Sequence, residues 1–423
     1  VKYDVIIIGA GAAGLIAMLD LLREGYSICM LEASPIAGGR IATIKEDGFA
    51  MNLETGAEFI HGKLPLTIRL LKDAGISYHE VKGEMFGVQN GNWKNDEHNE
   101  YWDEFMSKLK KLKTDITILE FLNDNFSNPK YTGLRKDVQR LAEGFDLADI
   151  SRASVLSIKD EWKNIEKKQY RVEGGYGGLI NYLLNDCVQL DARIYYNSSV
   201  NRIRYNKSSV NVSTTDGRNF DSDKIIVTAS VGVLQSGAIR FDPELTDHAI
   251  AIQGLGFGTV IKFLLQFKTD FWKEYEDDIG FILSNEEVPT WWTQLPMENS
   301  LLTGWMGGAK ATERVFHSDD ELLGIALGSL ASIFQMPVSG IKEQLECYKI
   351  LNWQNNANIK GGYSFNTLST KEAKRVLANP VNEVIYFAGE AVSQGEAQGT
   401  VESALQSGKD VAALLIRHLK RSR

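Results

Sequence analysis

Residues 3–8, YDVIII, are an unbroken apolar run, the pattern of a strand buried on both faces of a parallel sheet. A glycine-rich stretch follows at 9–14. Leu15, Met18, Leu19 and Leu22 then recur at helical spacing until Gly25 stops the pattern. Residues 27–31, SICML, predict a second strand, closed by Glu32. The chain therefore opens on a strand–helix–strand unit. From about residue 66 to 171 charge rises, glycine thins out and helical periodicity dominates, as in WDEFMSKLKKLKTDITILEFL. That stretch predicts a mostly helical insertion.

Glycine returns at 171–184, RVEGGYGGLINYLL, and short alternating strands are predicted at 193–196, 200–205, 210–214 and 224–228, with Asp216-Gly217 as a hairpin turn. Residues 259–267 predict another strongly apolar strand, and 281–350 mix strands with helices. Residues 383–388 predict a strand. A helix over 400–419 carries Val401, Ala404, Leu405, Ala412 and Leu415 on one face. The two characters interleave along the chain, so two discontinuous domains are expected. One is an α/β, Rossmann-like cofactor domain from 1–78, 172–258 and 350–423. The other is an α+β substrate-binding domain from 79–171 and 259–349.

Composition narrows this picture only a little. The 423 residues are 43% hydrophobic and carry a net charge of −9. The basic footprint of a nucleic-acid binder is absent, and an acidic surface favours cationic substrates only weakly. Cys29, Cys187 and Cys347 form no CxxC pair, so neither a disulfide framework nor a metal site is expected. No apolar run approaches the ~20 residues of a membrane span. No signal peptide is visible, which sets an expectation of a cytoplasmic protein, although a chain starting at Val1 leaves N-terminal processing open. The basic tail IRHLKRSR (416–423) reads as a solvated helix end.

Gly9, Gly11 and Gly14 give G-x-G-x-x-G between a strand and a helix. The first glycine makes the tight turn, the second lets backbone approach a pyrophosphate, and the third lets the helix pack on the sheet. The helix N-terminus adds free N–H donors and a positive dipole. Glu32, at the end of the next strand, suits a ribose hydroxyl and would repel a 2′-phosphate. Two features favour FAD over NAD. Gly38-Gly39-Arg40 bares backbone and supplies a cation. Phe387-Ala388-Gly389-Glu390 ends a late strand before a helix opening near Gly399, where a helix N-terminus would stabilise the negative charge of a reduced flavin.

Together these residues resemble the flavin amine oxidase family: monoamine oxidases, polyamine oxidases, histone lysine demethylases and many L-amino acid oxidases. GAGAAG (9–14, with Ala13), Glu32 with Ala33, and GGR (38–40, with Gly39 and Arg40) resemble its first FAD block. ETGAEFIHG (54–62), with Gly56, Ala57, Glu58 and His61, is similar to the next block, most like the polyamine oxidases. Gly174-Gly175 resemble the return segment, and Val200 the position whose backbone meets the adenine side of FAD. GLGFGTVIKF (254–263) carries the family lysine as Lys262. Trp353 and GGYSF (361–365) resemble the tryptophan and the aromatic loop. YFAGE (386–390, with Gly389 and Glu390) and GTVESALQSG (399–408, with Gly399, Thr400 and Val401) resemble the last FAD block.

The resemblance implies the fold of that family and FAD-dependent oxidation of an amine, polyamine or monoamine. A hydride would pass to flavin N5, the imine would hydrolyse, and O2 would reoxidise the flavin to give H2O2. It implies Lys262 near flavin N5, aiding the reaction with oxygen. It places His61, Tyr363 and Thr400 around the substrate; Trp292, with Trp291, fits either the pocket wall or the ordinary core. From the residues alone, His61 reads more readily as structural, and Lys262 fits an outward-facing strand lysine as well as a buried one. A buried ammonium would have to find a partner or lose its charge. Departures from the pattern matter too. Members with covalent flavin carry Cys where this chain has Gly362, so noncovalent FAD is expected. Thr400 stands where monoamine oxidases have a second tyrosine, which leaves the aromatic cage half open. The usual Asp-Pro after the tryptophan is replaced around Asn355-Asn356-Ala357. The rival readings are an L-amino acid oxidase or another flavin oxidoreductase, a flavin-binding protein without turnover, and an NAD-dependent dehydrogenase. Histone demethylation is disfavoured because no DNA-binding module or long coiled-coil insertion is visible. The specific amine and the oligomeric state are not legible.

Overall fold

The computed structural model describes residues 2–89, 91–95, 99–163, 168–395 and 397–422. Val1, Arg423 of the basic tail, residues 90, 96–98 and 164–167 of the predicted helical stretch, and residue 396 lie outside the described residues. Strand Lys2–Ile8 lies parallel to Ile28–Leu31 on one side and Asn219–Val227 on the other. Arg193–Tyr195 extends this parallel layer beyond Ile28–Leu31, and Ile385–Phe387 joins it beside Asn219–Val227. Its central residues are apolar on both faces because helices cover one side, and residues of the hairpin strands together with further helices cover the other. The strands Val200–Tyr205 and Val210–Thr214 continue the same sheet as an antiparallel hairpin extension.

Helix Ala12–Arg23 follows the first strand and packs against Gly177–Gln189 and the C-terminal helix Val401–Ser422. The crossing with the C-terminal helix is close: a Cβ at Gly408 would lie 2.3 Å from the Ala13 carbonyl oxygen. This brings the two ends of the chain, both expected to touch the cofactor, onto one face of the sheet. In the basic tail, Lys420 pairs with Glu24 at 2.7 Å.

A second sheet has seven strands, with Val260–Phe267 between Leu345–Asn352 and Leu301–Gly307. All eight residues of Val260–Phe267 are buried. Ile261, Phe263 and Leu265 pack into the core that contains helix Asp319–Ile333. The alternation of a strand therefore sends Val260, Lys262 and Leu264 to the opposite face. Tyr78–Glu80, Gln169–Val172 and Phe59–His61 form a small third sheet.

The predicted insertion at 66–171 is helical only in part. Helices occupy Trp102–Lys111, Ile118–Asn125, Thr132–Phe145 and Val155–Lys163, around Phe105, Phe121 and Phe126. Tyr78–Glu80, Glu84–Gln89 and Asn92–Asn95 are strands. Their pattern is short and polar at the edge of a sheet, so Phe86 and Val88 become core residues only through pairing with Ile279–Ser284. The strand predicted at 224–228 begins earlier, at Asn219, because its first half pairs with Val210–Thr214. Among the described residues no single helix is long and apolar enough to cross a membrane.

Candidate active site

One continuous cavity of about 1650 Å³ runs from the first strand–helix turn to the face of the second sheet. It exceeds the ~300–1,000 Å³ that holds one drug-sized ligand, so it has room for a dinucleotide and a second molecule. At one end its wall is Gly9, Gly11, Ala13, Glu32, Ala33, Gly39, Arg40 and Val200. Helix Ala12–Arg23 starts there with no side-chain cap, leaving its first amides for a ligand. Glu32 accepts backbone N–H bonds from Ala10 and Ser34 at 2.7 Å each. Each carboxylate oxygen retains a second lone pair. These groups fit the phosphates and ribose of a dinucleotide. Gly14 is absent from the wall because it lies beneath the turn, where a Cβ would stand 2.0 Å from the Gly9 carbonyl oxygen.

Further along, the wall is built from segments far apart in the chain: Gly56, Ala57 and Glu58; Trp353 and Tyr363; Gly389 and Glu390; Gly399, Thr400 and Val401. Side-chain bonds join them. Arg40 Nη1 donates to Glu390 Oε1 at 2.7 Å and to the Gly362 carbonyl at 2.9 Å. Glu390 also accepts from the Ser364 hydroxyl at 2.6 Å and its N–H at 3.2 Å. The Trp353 indole donates to the Thr55 carbonyl at 2.9 Å. Position 362 has no room for a side chain: a Cβ would lie 2.5 Å from Leu147 Cδ1 and 2.9 Å from Val260 Cγ1. We expect Gly362→Ala to cost about 1–3 kcal/mol by overpacking, read as a lower urea midpoint. Leu147→Ala should cost less in the Gly362→Ala background than in the wild type, because the added methyl takes up part of the space it vacates. An unchanged midpoint in Gly362→Ala would show that Leu147 yields freely.

The far end is aromatic. Phe59 meets Trp292 edge-on at 5.5 Å and Phe281 at 6.0 Å. Trp305 lies 6.0 Å from Trp292 and stacks with Tyr363 at 6.4 Å. His61 meets Phe145 edge-on at 5.4 Å. Two carbonyls at the end of helix Thr132–Phe145 dock this wall: Gly144 accepts from the Trp305 indole at 2.8 Å and Phe145 from the Tyr363 hydroxyl at 2.5 Å. Burial pushes the His61 imidazole down to about 4, so it is neutral at physiological pH. Burial also raises the Tyr363 phenol far above its ordinary value. Thr400 lines the cavity with its hydroxyl turned to the Ala397 carbonyl at 2.6 Å.

Lys262 is fully buried and finds its partner in Glu58, Nζ to Oε2 at 2.7 Å. It also donates to the Glu54 carbonyl at 2.6 Å. Glu58 Oε1 accepts from Arg171 Nε and from the Trp292 indole, both at 2.9 Å. Burial alone would raise the Glu58 carboxyl, but the Lys262 and Arg171 charges outweigh it and hold it below its ordinary value. Glu54, beside this cluster, goes the other way: burial pushes it up to about 7 against the Thr43 bond and the Lys262 charge, and its Oε2 has no partner. A carboxyl that stays protonated in the fold but ionises near 4.5 in the unfolded chain makes stability fall as pH rises from about 4.5 to about 7. Glu54→Gln should flatten that part of the curve of urea midpoint against pH. An unaltered slope would mean that Glu54 is ionised in the fold.

Sequence reasoning did not single out Arg171, Trp305, Phe145, Phe59, Phe281 or Glu54. Arg171 stands just before the Gly174-Gly175 segment and is 4% exposed, but its role depends on pairing across the small sheet with Phe59. Trp305 pairs with Lys262 across the second sheet, a register invisible in one sequence.

This arrangement matches known proteins over almost the whole chain. The profile of the flavin containing amine oxidoreductase family matches residues 12–416. Lysine-specific histone demethylase 1B of Mus musculus is 26% identical over 438 residues, 96% of this chain and 52% of its own length. Polyamine oxidase 4 of Oryza sativa subsp. japonica is 25% identical over 440 residues, 96% of this chain and 87% of its own. The chain thus spans about half the length of the demethylase and most of the polyamine oxidase. Among solved structures, a putrescine oxidase bound to putrescine superposes with a TM-score of 0.81 at 21% identity, covering 99% of each chain. Cyclohexylamine oxidase from Brevibacterium oxydans IH-35A gives 0.81 at 21%, covering 99% of this chain and 100% of its own. At that identity these two establish the fold. With the profile spanning both ends of the cavity, the chain belongs to the flavin-containing amine oxidoreductase family.

Proposed function

We propose that the protein binds FAD noncovalently and oxidises an amine, with O2 as the electron acceptor. The observation that carries this reading is the continuity of the cavity, whose dinucleotide end opens without a break onto an aromatic chamber with a buried lysine. Bound FAD would supply the redox chemistry, taking a hydride from the carbon beside nitrogen and passing electrons to O2. Gly9, Gly11, Ala13, Glu32, Ala33, Gly39, Arg40 and Val200 would hold its dinucleotide part. Trp353, Gly56, Ala57, Gly389, Glu390, Gly399, Thr400 and Val401 would hold the remainder. Gly362, where members with covalent flavin carry cysteine, offers no sulfur for a bond to the flavin, which supports noncovalent binding.

The residues of the chamber do the orienting. Phe59, Trp292, Trp305 and Tyr363 offer flat apolar faces to an amine's hydrocarbon part and exclude water from it. His61, held neutral, does not repel an amine and offers one donor and one acceptor. An amine must lose its proton before it can give up a hydride, and the aromatic surroundings favour that neutral form. The cations on the cavity wall speak against an amino acid oxidase. Arg40 is bonded to Glu390, Arg140 to Asp137, Lys262 to Glu58 and Lys374 to Gln398. Three of these cations already face a carboxylate, which leaves less uncompensated positive charge to attract a substrate carboxylate.

The test is to denature one sample of the purified holoprotein and to assay a second, native sample. The reading expects a flavin released free of the chain, with the absorbance of FAD, and peroxide formed when amines are added in air. A flavin that stays with the denatured chain would overturn noncovalent binding. Absence of peroxide with polyamines, alkylamines, arylalkylamines and amino acids alike would overturn amine oxidation with O2 as acceptor.

A further inference from the structure

Lys262, Glu58 and Arg171 form a line of three buried charges behind the aromatic wall, and only the middle one is negative. Lys262 is 0% exposed, Arg171 4% and Glu58 8%. Each end is fixed by other groups. Lys262 Nζ donates to Glu58, to the Glu54 carbonyl and, at 3.4 Å, to the Gly56 carbonyl, which occupies its three hydrogens. Arg171 donates through Nη1 to the Leu295 carbonyl and Nη2 to the Thr293 carbonyl, and its guanidinium lies 4.8 Å from the centre of the Phe59 ring. Glu58 is the shared acceptor of both cations and of Trp292, whose ring also lies 5.6 Å from Lys262 Nζ. Lys262, Glu58 and Trp292 all reach the cavity wall beside Gly56 and Ala57.

We infer that Glu58 is a positioning residue that fixes Lys262 against the cavity and sets the net charge that the bound cofactor experiences there. The inference rests on the flavin reading of the cavity and says what governs the flavin's redox balance within it. The charge arithmetic is simple. The intact cluster carries two cations and one anion, a net of +1. Removing Glu58's charge gives +2, removing Lys262's gives 0, and removing both restores +1. A group that becomes more negative on reduction is stabilised in its reduced form by a more positive neighbourhood, and in a dry site the effect is weakly screened. Glu58 therefore restrains a potential that two unpaired cations would otherwise drive upward. It also keeps Lys262 from swinging away from the Glu54 and Gly56 carbonyls.

The experiment is a double-mutant cycle on the FAD-loaded protein, with the flavin midpoint potential as readout. It is run below pH 7, where the Glu54 carboxyl, pushed up to about 7, is mostly protonated and adds no second anion. Glu58→Gln should raise the potential, Lys262→Met should lower it, and the double variant should return close to the wild-type value. If Glu58→Gln alone does not fold, comparing Lys262→Met with the double variant isolates the same charge, since Arg171 remains in both. A rise on adding Glu58→Gln to Lys262→Met is then the expected result. Equal potentials with and without the Glu58 charge, in either background, overturn the inference while leaving amine oxidation intact. Wild-type protein that takes up no flavin at all overturns the reading beneath it as well.

Discussion

Lys262→Met should leave FAD bound and slow reoxidation of the reduced flavin by O2 by on the order of 10²- to 10³-fold, the usual loss when one preorganised electrostatic contact to a developing charge is removed. The fold should survive the change. Methionine is similar in length and apolar, and strand Val260–Phe267 already buries every residue. Glu58 Oε1 would keep Arg171 and Trp292 as partners and the carboxylate its Arg171 counter-charge, although Oε2 loses the Lys262 donor. FAD retention depends on other segments, from the Gly9 turn to the start of helix Val401–Ser422. As O2 takes electrons, negative charge would develop beside the chamber's inner wall, where the Lys262 ammonium is fully buried. Stopped-flow mixing of the reduced variant with oxygenated buffer reads the rate, and equilibrium dialysis reads FAD binding. A variant that reoxidises at the wild-type rate would reduce Lys262 to a structural partner of Glu58.

Glu390→Ala is expected to be the most damaging substitution for cofactor retention. Glu390 is 4% exposed and receives Arg40 from one segment and Ser364 from another. Its loss leaves Arg40 with the Gly362 carbonyl and no counter-charge, and orphans the Ser364 N–H. Breaking one side of such a pair typically costs about 3–5 kcal/mol, here toward the lower end because Arg40 is partly accessible from the cavity. The segments that would hold the flavin would also lose their common tie. The purified variant should be largely apo, with a lower unfolding midpoint. Glu390→Gln should recover part of both, since it keeps an acceptor and the shape. Full flavin content in Glu390→Ala would contradict the assignment of this pair to the cofactor wall.

What could be read in advance follows from which signals are local. The strands at 200–205 and 210–214 were legible to the residue because both end on turn residues and the second alternates cleanly, although a bulge after Val200 interrupts the alternation of the first. The unbroken run at 3–8 and the apolar run at 259–267 were legible as strands for the opposite reason, that they are buried on both faces. Strands at Tyr78–Glu80 and Glu84–Gln89 were lost in a helical prediction because their stability comes from distant partners, Gln169–Val172 and Ile279–Ser284. Lys262 illustrates the same limit in the site. Its neighbours marked a strand, but one strand does not reveal which face is covered. Burial became clear only when Glu58, more than two hundred residues earlier, met its ammonium. The aromatic chamber was half legible. Tyr363 and Trp292 were named as chamber residues, but Trp305, whose stacking on Tyr363 depends on sheet register, was not.

The most direct test of amine oxidation is to mix the FAD-loaded protein anaerobically with polyamines, alkylamines, arylalkylamines and amino acids, and to follow the flavin absorbance. The account predicts rapid bleaching by at least one class of amine and recovery of the yellow spectrum when air is admitted. An oxidised spectrum that persists with every member of the panel would contradict it.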